Sequence, residues 1–172
     1  MLLKPKDGTR AVRSYAFHEA GHIVVARYLG FKVESSSIEP QVSPLWATKT
    51  VRLKDYFDED ALMFGRLERK GKKPLERKDY RLFYNILVQK VAGSVAVELV
   101  GGFRQSELSV HFEEDLAFVL NILNYLRKDV ADIKFTQIQR IAEKILKYHW
   151  AEVETLAQRL LEEKTIYFEK LG

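Results

Sequence analysis

The stretch SYAFHEAGHIVVARYLG, Ser14 to Gly30, constrains the chain more than any other. Helix-compatible residues begin at about Asp7, and Gly30 is well placed to accept the left-handed conformation that ends a helix, so we expect one helix from there to Leu29. On such a helix His18 and His22 project from one face about one turn apart, and both rings can reach a single cation. Ala20 and Gly21 between them leave the helix surface thin. A neighbouring helix can then come close enough to supply another ligand.

Zinc accepts imidazole nitrogen at about 2.0–2.1 Å, and a catalytic zinc site pairs three protein ligands with one exchangeable water. Glu19, next to the first histidine, can hydrogen-bond that water, take its proton and pass it to a leaving amine, which is the arrangement of a hydrolase. The plain alternative is a helix whose two histidines make structural hydrogen bonds. Spacing does not choose the third ligand. An extended motif would need glycine at position 25 and histidine at position 28, where the chain has Val25 and Tyr28. Downstream candidates are Glu98, Glu107, His111, Glu113, Glu114, Asp115 and His149. His149 continues an apolar stripe after Ile145 and reads as a packed residue, whereas His111 reads as a loop residue, a ligand or a substrate contact. The acids at 113–115 read as the start of a helix, where the dipole favours carboxylates in any case.

The chain has no cysteine, which excludes disulfides, iron–sulfur clusters, thiolate nucleophiles and cysteine-based zinc sites. Any metal has to be held by histidine and carboxylate. With 172 residues, 47% hydrophobic and 30% charged, the composition is that of a folded protein, and we expect one domain over 1–172. The opening MLLKPKDGTR interrupts the apolar core a signal peptide needs, and no stretch approaches the roughly 18 uninterrupted apolar residues of a membrane span. We therefore expect a soluble, cytoplasmic protein. The net charge of +4 is modest, and its surplus concentrates between Arg66 and Arg81, where Lys and Arg outnumber acids by eight to three. That run reads as a solvated loop and helix start, and no base-stacking platform or zinc-finger spacing points to nucleic acid.

Along the rest of the chain, FKVESSSIEP and ATKTVRL are short, β-branched and broken by Pro40 and Pro44, so they read as strands of a small sheet or ribbon. Lys54 to Pro74 reads as an irregular connection with one short helix around Asp60–Leu67. A long helical segment from Leu75 to Val100 ends at Gly101-Gly102, a loop follows, and a third helix starts near Glu113 and runs to Arg127. Ile138, Ile141, Ile145, Val153, Leu156 and Leu160 stand at helical spacing, giving an amphipathic helix or helical pair. The fold class we expect is mainly α, with a small β element near the site.

SYAFHEAGHIVVARYLG resembles the opening of the peptidase domain of FtsH-type zinc metalloproteases. VAGSVAVELVGG, Val91 to Gly102, looks like that family's small-residue segment with a glutamate before a glycine-containing turn. HFEEDLAFVLNIL looks like the helix carrying its third zinc ligand, and AEKILKYHWAEVETLAQRLLEEKTI resembles its C-terminal helices. The matches run in order across most of the chain and are weakest between Lys32 and Pro74.

The resemblance implies a helical zincin-like peptidase domain with zinc ligands at His18, His22 and Asp115 and Glu19 as general base. It gives Glu98 a supporting or structural role. Glu114 stands where the family has asparagine, and the lead-in SVHFE replaces small and polar residues; both alter the surroundings of the site. The chain has no G-x-x-x-x-G-K-[ST] phosphate loop and no membrane anchor, so we expect a peptidase domain alone. Its implied substrates are peptides, unfolded segments or proteins delivered by a separate ATPase partner, and self-association into a ring is a further implication. The alternative from another class is a non-catalytic regulatory module that keeps the fold and the zinc and uses the groove to bind peptides or proteins.

Overall fold

The computed structural model describes residues 7–39, 77–102, 105–126 and 134–168. The expected strand ATKTVRL and the short helix around Asp60–Leu67 lie outside the described residues. Five helices and a two-stranded sheet follow in the order α1 (Asp7–Tyr28), β1 (Ser35–Ser37), α2 (Arg77–Val100), α3 (Gln105–Leu126), α4 (Phe135–Tyr148), α5 (Trp150–Glu163) and β2 (Thr165–Tyr167). The described architecture is mainly helical with a small sheet, as the sequence led us to expect.

Helix α1 lies between α2 and α5, and α2 in turn packs on α3 and α4. Its burial explains its composition: Ala16, Ala20, Ile23, Val25 and Ala26 are fully inaccessible to solvent. Removing an isoleucine or valine of this kind from water contributes about 1.5–3 kcal/mol before entropy is counted. Gly21 makes the closest approach. A methyl group there would lie 2.6 Å from both the Ala92 carbonyl oxygen and the Ala96 β-carbon of α2, so the two backbones meet where neither helix has bulk. At its end α1 closes as expected, with Gly30 at φ 79°, the Gly30 N–H on the Arg27 carbonyl (3.0 Å) and the Phe31 N–H on the Ala26 carbonyl (2.8 Å). These are the two bonds of a Schellman motif.

Within α2 the segment Tyr80–Val100 is long enough, and on average apolar enough, to cross a membrane, although it is not an uninterrupted apolar run and 67% of its apolar window is buried inside the protein. Arg81, Gln89 and Lys90 interrupt the run without lowering its average hydropathy far. Phe83, Leu87, Val91 and Val95 account for its apolar character as core.

Two boundaries differ from the sequence reading. Helix α3 begins at Gln105, not near Glu113, so residue 111 is helical and not in a loop. Gly101 and Gly102, at φ 67° and 77°, take backbone conformations that glycine adopts freely and that end α2. The acids at 113–115 are consequently well inside a helix, and the dipole of an N-terminus does not explain them. The second difference is β2, in a region read as wholly helical. There is no glycine to announce it: Lys164 takes the left-handed turn itself, at φ 63°, with its N–H on the Leu160 carbonyl (3.0 Å). With ψ at −37° the residue lies in a sparsely populated backbone region, which costs about 1–3 kcal/mol. The turn swings Ile166 into antiparallel register with Ser36, and the Ile38 N–H and Lys164 carbonyl extend the pairing at 2.9 Å.

The C-terminal stripe forms the expected helical pair. Ile138, Ile145, Val153, Leu156 and Leu160 are buried, while Ile141 is half-buried. His149 does not continue the stripe; it is the single residue joining α4 to α5, at φ −107° and ψ 26°, half-buried with its ring edge-on to Tyr28 and Tyr148.

Candidate metal centre

The helix α1 brings His18 and His22 to its buried face, and α3 crosses α2 so that Asp115 reaches them from 93 residues beyond His22. The three donor atoms form a nearly regular triangle. His18 Nε2 and His22 Nε2 are 3.0 Å apart, and Asp115 Oδ2 is 2.9 Å from His22 Nε2 and 3.2 Å from His18 Nε2. One ion can sit above such a triangle at about 2.0–2.1 Å from each corner, the bonding distance of zinc to these atoms. Among the described residues this is the group of histidines and acids able to hold a metal ion.

The protonation pattern points the same way. His22 Nδ1 lies 2.8 Å from the Gln89 carbonyl oxygen, which can only accept, so Nδ1 carries the hydrogen. In a neutral ring, Nε2 then turns a lone pair toward a carboxylate oxygen, an arrangement that repels unless a proton or a metal ion lies between them. Burial pulls the His22 pKa down, but the Asp115 charge, the hydrogen bond to it and Glu19 outweigh burial and leave it raised. His18 moves the other way, lowered by burial and then by neighbouring His22. Burial also opposes the charge on Asp115, yet Lys90, His22 and the bonds from both imidazoles hold its carboxyl well below the usual carboxylate range.

One turn of α2, residues 89 to 93, touches all three of these side chains. The Gln89 carbonyl orients His22, and the Lys90 ammonium donates to Asp115 Oδ1 at 3.2 Å. Gly93 faces the imidazoles: a β-carbon there would stand 2.6 Å from His18 Nδ1, His18 Cε1 and His22 Nε2. In a helix the Gln89 carbonyl points toward residue 93, so the missing side chain also opens that carbonyl to His22. The thin surface expected at Ala20–Gly21 therefore admits α2, which presents a carbonyl and a glycine to the site, while the acid arrives from α3. Gly93→Ala would gain roughly 1 kcal/mol of helix propensity. The overpacking should cost about 1–3 kcal/mol, and displacing both rings should weaken any metal binding at the triangle by about 10–100-fold. Urea unfolding and zinc titration of the variant check both numbers.

Glu19 is 2% exposed and accepts a hydrogen bond from Ser36 Oγ at 3.0 Å. The small β element thus stands beside the site as expected, with Ser36 held by its pairing to Ile166. Burial pushes the Glu19 pKa up to about 7, against the lowering effects of His22 and Ser36. In the metal-free protein this raised pKa ties stability to pH. Below about 4.5 Glu19 is protonated folded or unfolded; between 4.5 and 7 only the unfolded chain loses the proton, so stability falls as pH rises, and the full penalty is present above 7. With chelator present, Glu19→Gln should therefore stabilise the protein by less than about 1 kcal/mol at pH 5 and by about 3 kcal/mol at pH 8. Urea unfolding at the two pH values tests this; equal gains would contradict it.

The other sequence candidates stand elsewhere. Glu98 and Glu113 are exposed to solvent. Around Glu98 the residues Val95, Ala96 and Val97 are buried, which leaves the glutamate on the solvent side of α2 and not among the buried groups that surround the imidazoles. His149 is at the α4–α5 junction, with Nδ1 3.9 Å from Glu152 Oε2. The side chains of Glu107, His111 and Glu114 lie outside the described residues. Sequence reasoning missed Ser36, Gln89, Lys90 and Gly93. No protein-family model matches the chain, and no curated protein is significantly similar to it.

Proposed function

We propose that the chain is a zinc-dependent metallopeptidase with a zincin-like fold, of the kind its resemblance to the FtsH peptidase domain implies. The observation that carries the proposal is the convergence of His18 Nε2, His22 Nε2 and Asp115 Oδ2 within 3.2 Å of one another, with the Glu19 carboxylate buried on the same helical turn. Two imidazoles and one carboxylate suit zinc better than calcium or magnesium, which prefer all-oxygen sets. Three protein ligands leave a position for water or substrate.

Zinc, when bound, lowers the pKa of a coordinated water toward about 7 and polarises the scissile carbonyl. Glu19 takes the proton from the attacking water and delivers it to the departing amine, and Ser36 keeps one carboxylate oxygen occupied so that the group holds its orientation. Gln89 fixes the His22 tautomer that leaves Nε2 free to coordinate. The substrates we propose are peptides, unfolded segments or proteins delivered by a separate ATPase in the cytoplasm, with self-association of the domain as part of the same reading. The test is hydrolysis of a diverse unfolded-peptide library by the zinc-loaded protein, abolished by chelation and by Glu19→Gln. One equivalent of bound zinc with no turnover would instead indicate a non-catalytic peptide- or protein-binding module.

A further inference from the structure

The two oxygens of Asp115 have different partners. Oδ2 faces the imidazole nitrogens at 2.9 and 3.2 Å, while Oδ1 accepts from Lys90 Nζ at 3.2 Å. A carboxylate beside a divalent cation can bind through one oxygen or through both. Here the second oxygen is already taken.

We propose that Lys90 is a positioning residue that restricts Asp115 to single-oxygen ligation and so keeps a coordination position open for water. The proposal rests on the metal-centre reading above. Two observations and one electrostatic argument support it. Lys90 is carried on the same turn of α2 as Gln89 and Gly93, so its backbone is fixed relative to both imidazoles. Its ammonium is also held from α3, where Phe118, three residues beyond Asp115, places its ring 5.2 Å from Nζ. Finally, an ammonium beside the third ligand repels a dication. A centre built only to hold metal tightly gains nothing from a lysine there, whereas a centre that must keep water in its coordination sphere does. An ordinary exposed ion pair does not describe the contact either, since Asp115 is only 14% exposed and its other oxygen is a donor of the cluster.

The test compares wild type with Lys90→Met and Lys90→Arg, each loaded with cobalt(II) as a spectroscopic stand-in for zinc. In Lys90→Met we expect cobalt to bind at least as tightly as in wild type, while its visible absorption weakens as Asp115 engages both oxygens and the coordination number rises. Peptide hydrolysis by the zinc form should fall by about 10-fold or more in kcat with little change in KM. Lys90→Arg retains a donor for Oδ1 and should keep the wild-type spectrum. A Lys90→Met protein with the wild-type spectrum overturns the proposal, and so does one in which cobalt affinity and absorption are lost together, because then Lys90 merely props the site. Should Lys90→Met not fold, Lys90→Leu, which also lacks a donor, carries the same comparison. Wild-type protein that takes up no cobalt removes the metal-centre reading itself, and with it this inference.

Discussion

Glu19→Gln is expected to retain one equivalent of zinc and to lose peptide hydrolysis by about 10²–10⁴-fold in kcat. The substitution keeps the size and shape of the side chain, and its amide oxygen can still accept from Ser36 Oγ, which lies 3.0 Å from the carboxylate. None of the three proposed donor atoms is touched. What disappears is a buried base whose pKa, about 7 before metal binds, is matched to proton transfer near neutral pH. The same variant should be more stable than wild type without metal, because the ionised carboxylate is costly to bury. Stability and activity would then move in opposite directions on one substitution, as expected of a group retained for chemistry. Zinc content and initial rates on the same preparation check the result. Undiminished turnover would remove Glu19 from the role of base.

Much of the fold was legible because its signals are local. The helix from Asp7 is closed by Gly30, α2 by Gly101, and the α4–α5 pair follows a stripe that needs nothing beyond 3.6-residue spacing. The errors fell where a local signal was missing or misleading. No glycine marks the turn at Lys164 into β2, and the stretch after Gly101-Gly102 reads as a loop although α3 starts at Gln105. The pair His18 and His22 was legible for the same reason as the helix that carries it. Asp115 was one of seven candidates, and only the family resemblance singled it out, because the crossing of α3 over α2 that delivers it leaves no mark in its spacing. The Gln89 contact is made by a backbone atom and has no side-chain signature at all. Gly93 did carry a signal: a glycine inside a long helix costs about 1 kcal/mol relative to alanine, and usually marks a close approach.

Removal of Asp115 addresses the central claim, that three atoms from α1 and α3 converge to hold one metal ion. Asp115→Ala deletes the anionic corner of the triangle and leaves two neutral donors, so zinc affinity should fall by more than the roughly 10–100-fold typical of losing a group that only supports a ligand. Asp115→Asn, similar in shape, controls for packing and should also fail to hold zinc at stoichiometric level, since it has no charge to oppose that of the ion. The fold should survive, because Lys90 is 30% exposed and can turn to water once the carboxylate is gone. The most direct measurement is the zinc content of purified wild-type protein beside Asp115→Ala, both stripped with chelator and reloaded under identical conditions. One zinc per wild-type chain and next to none in the variant is the predicted result; equal zinc in both, or none in either, would contradict the account.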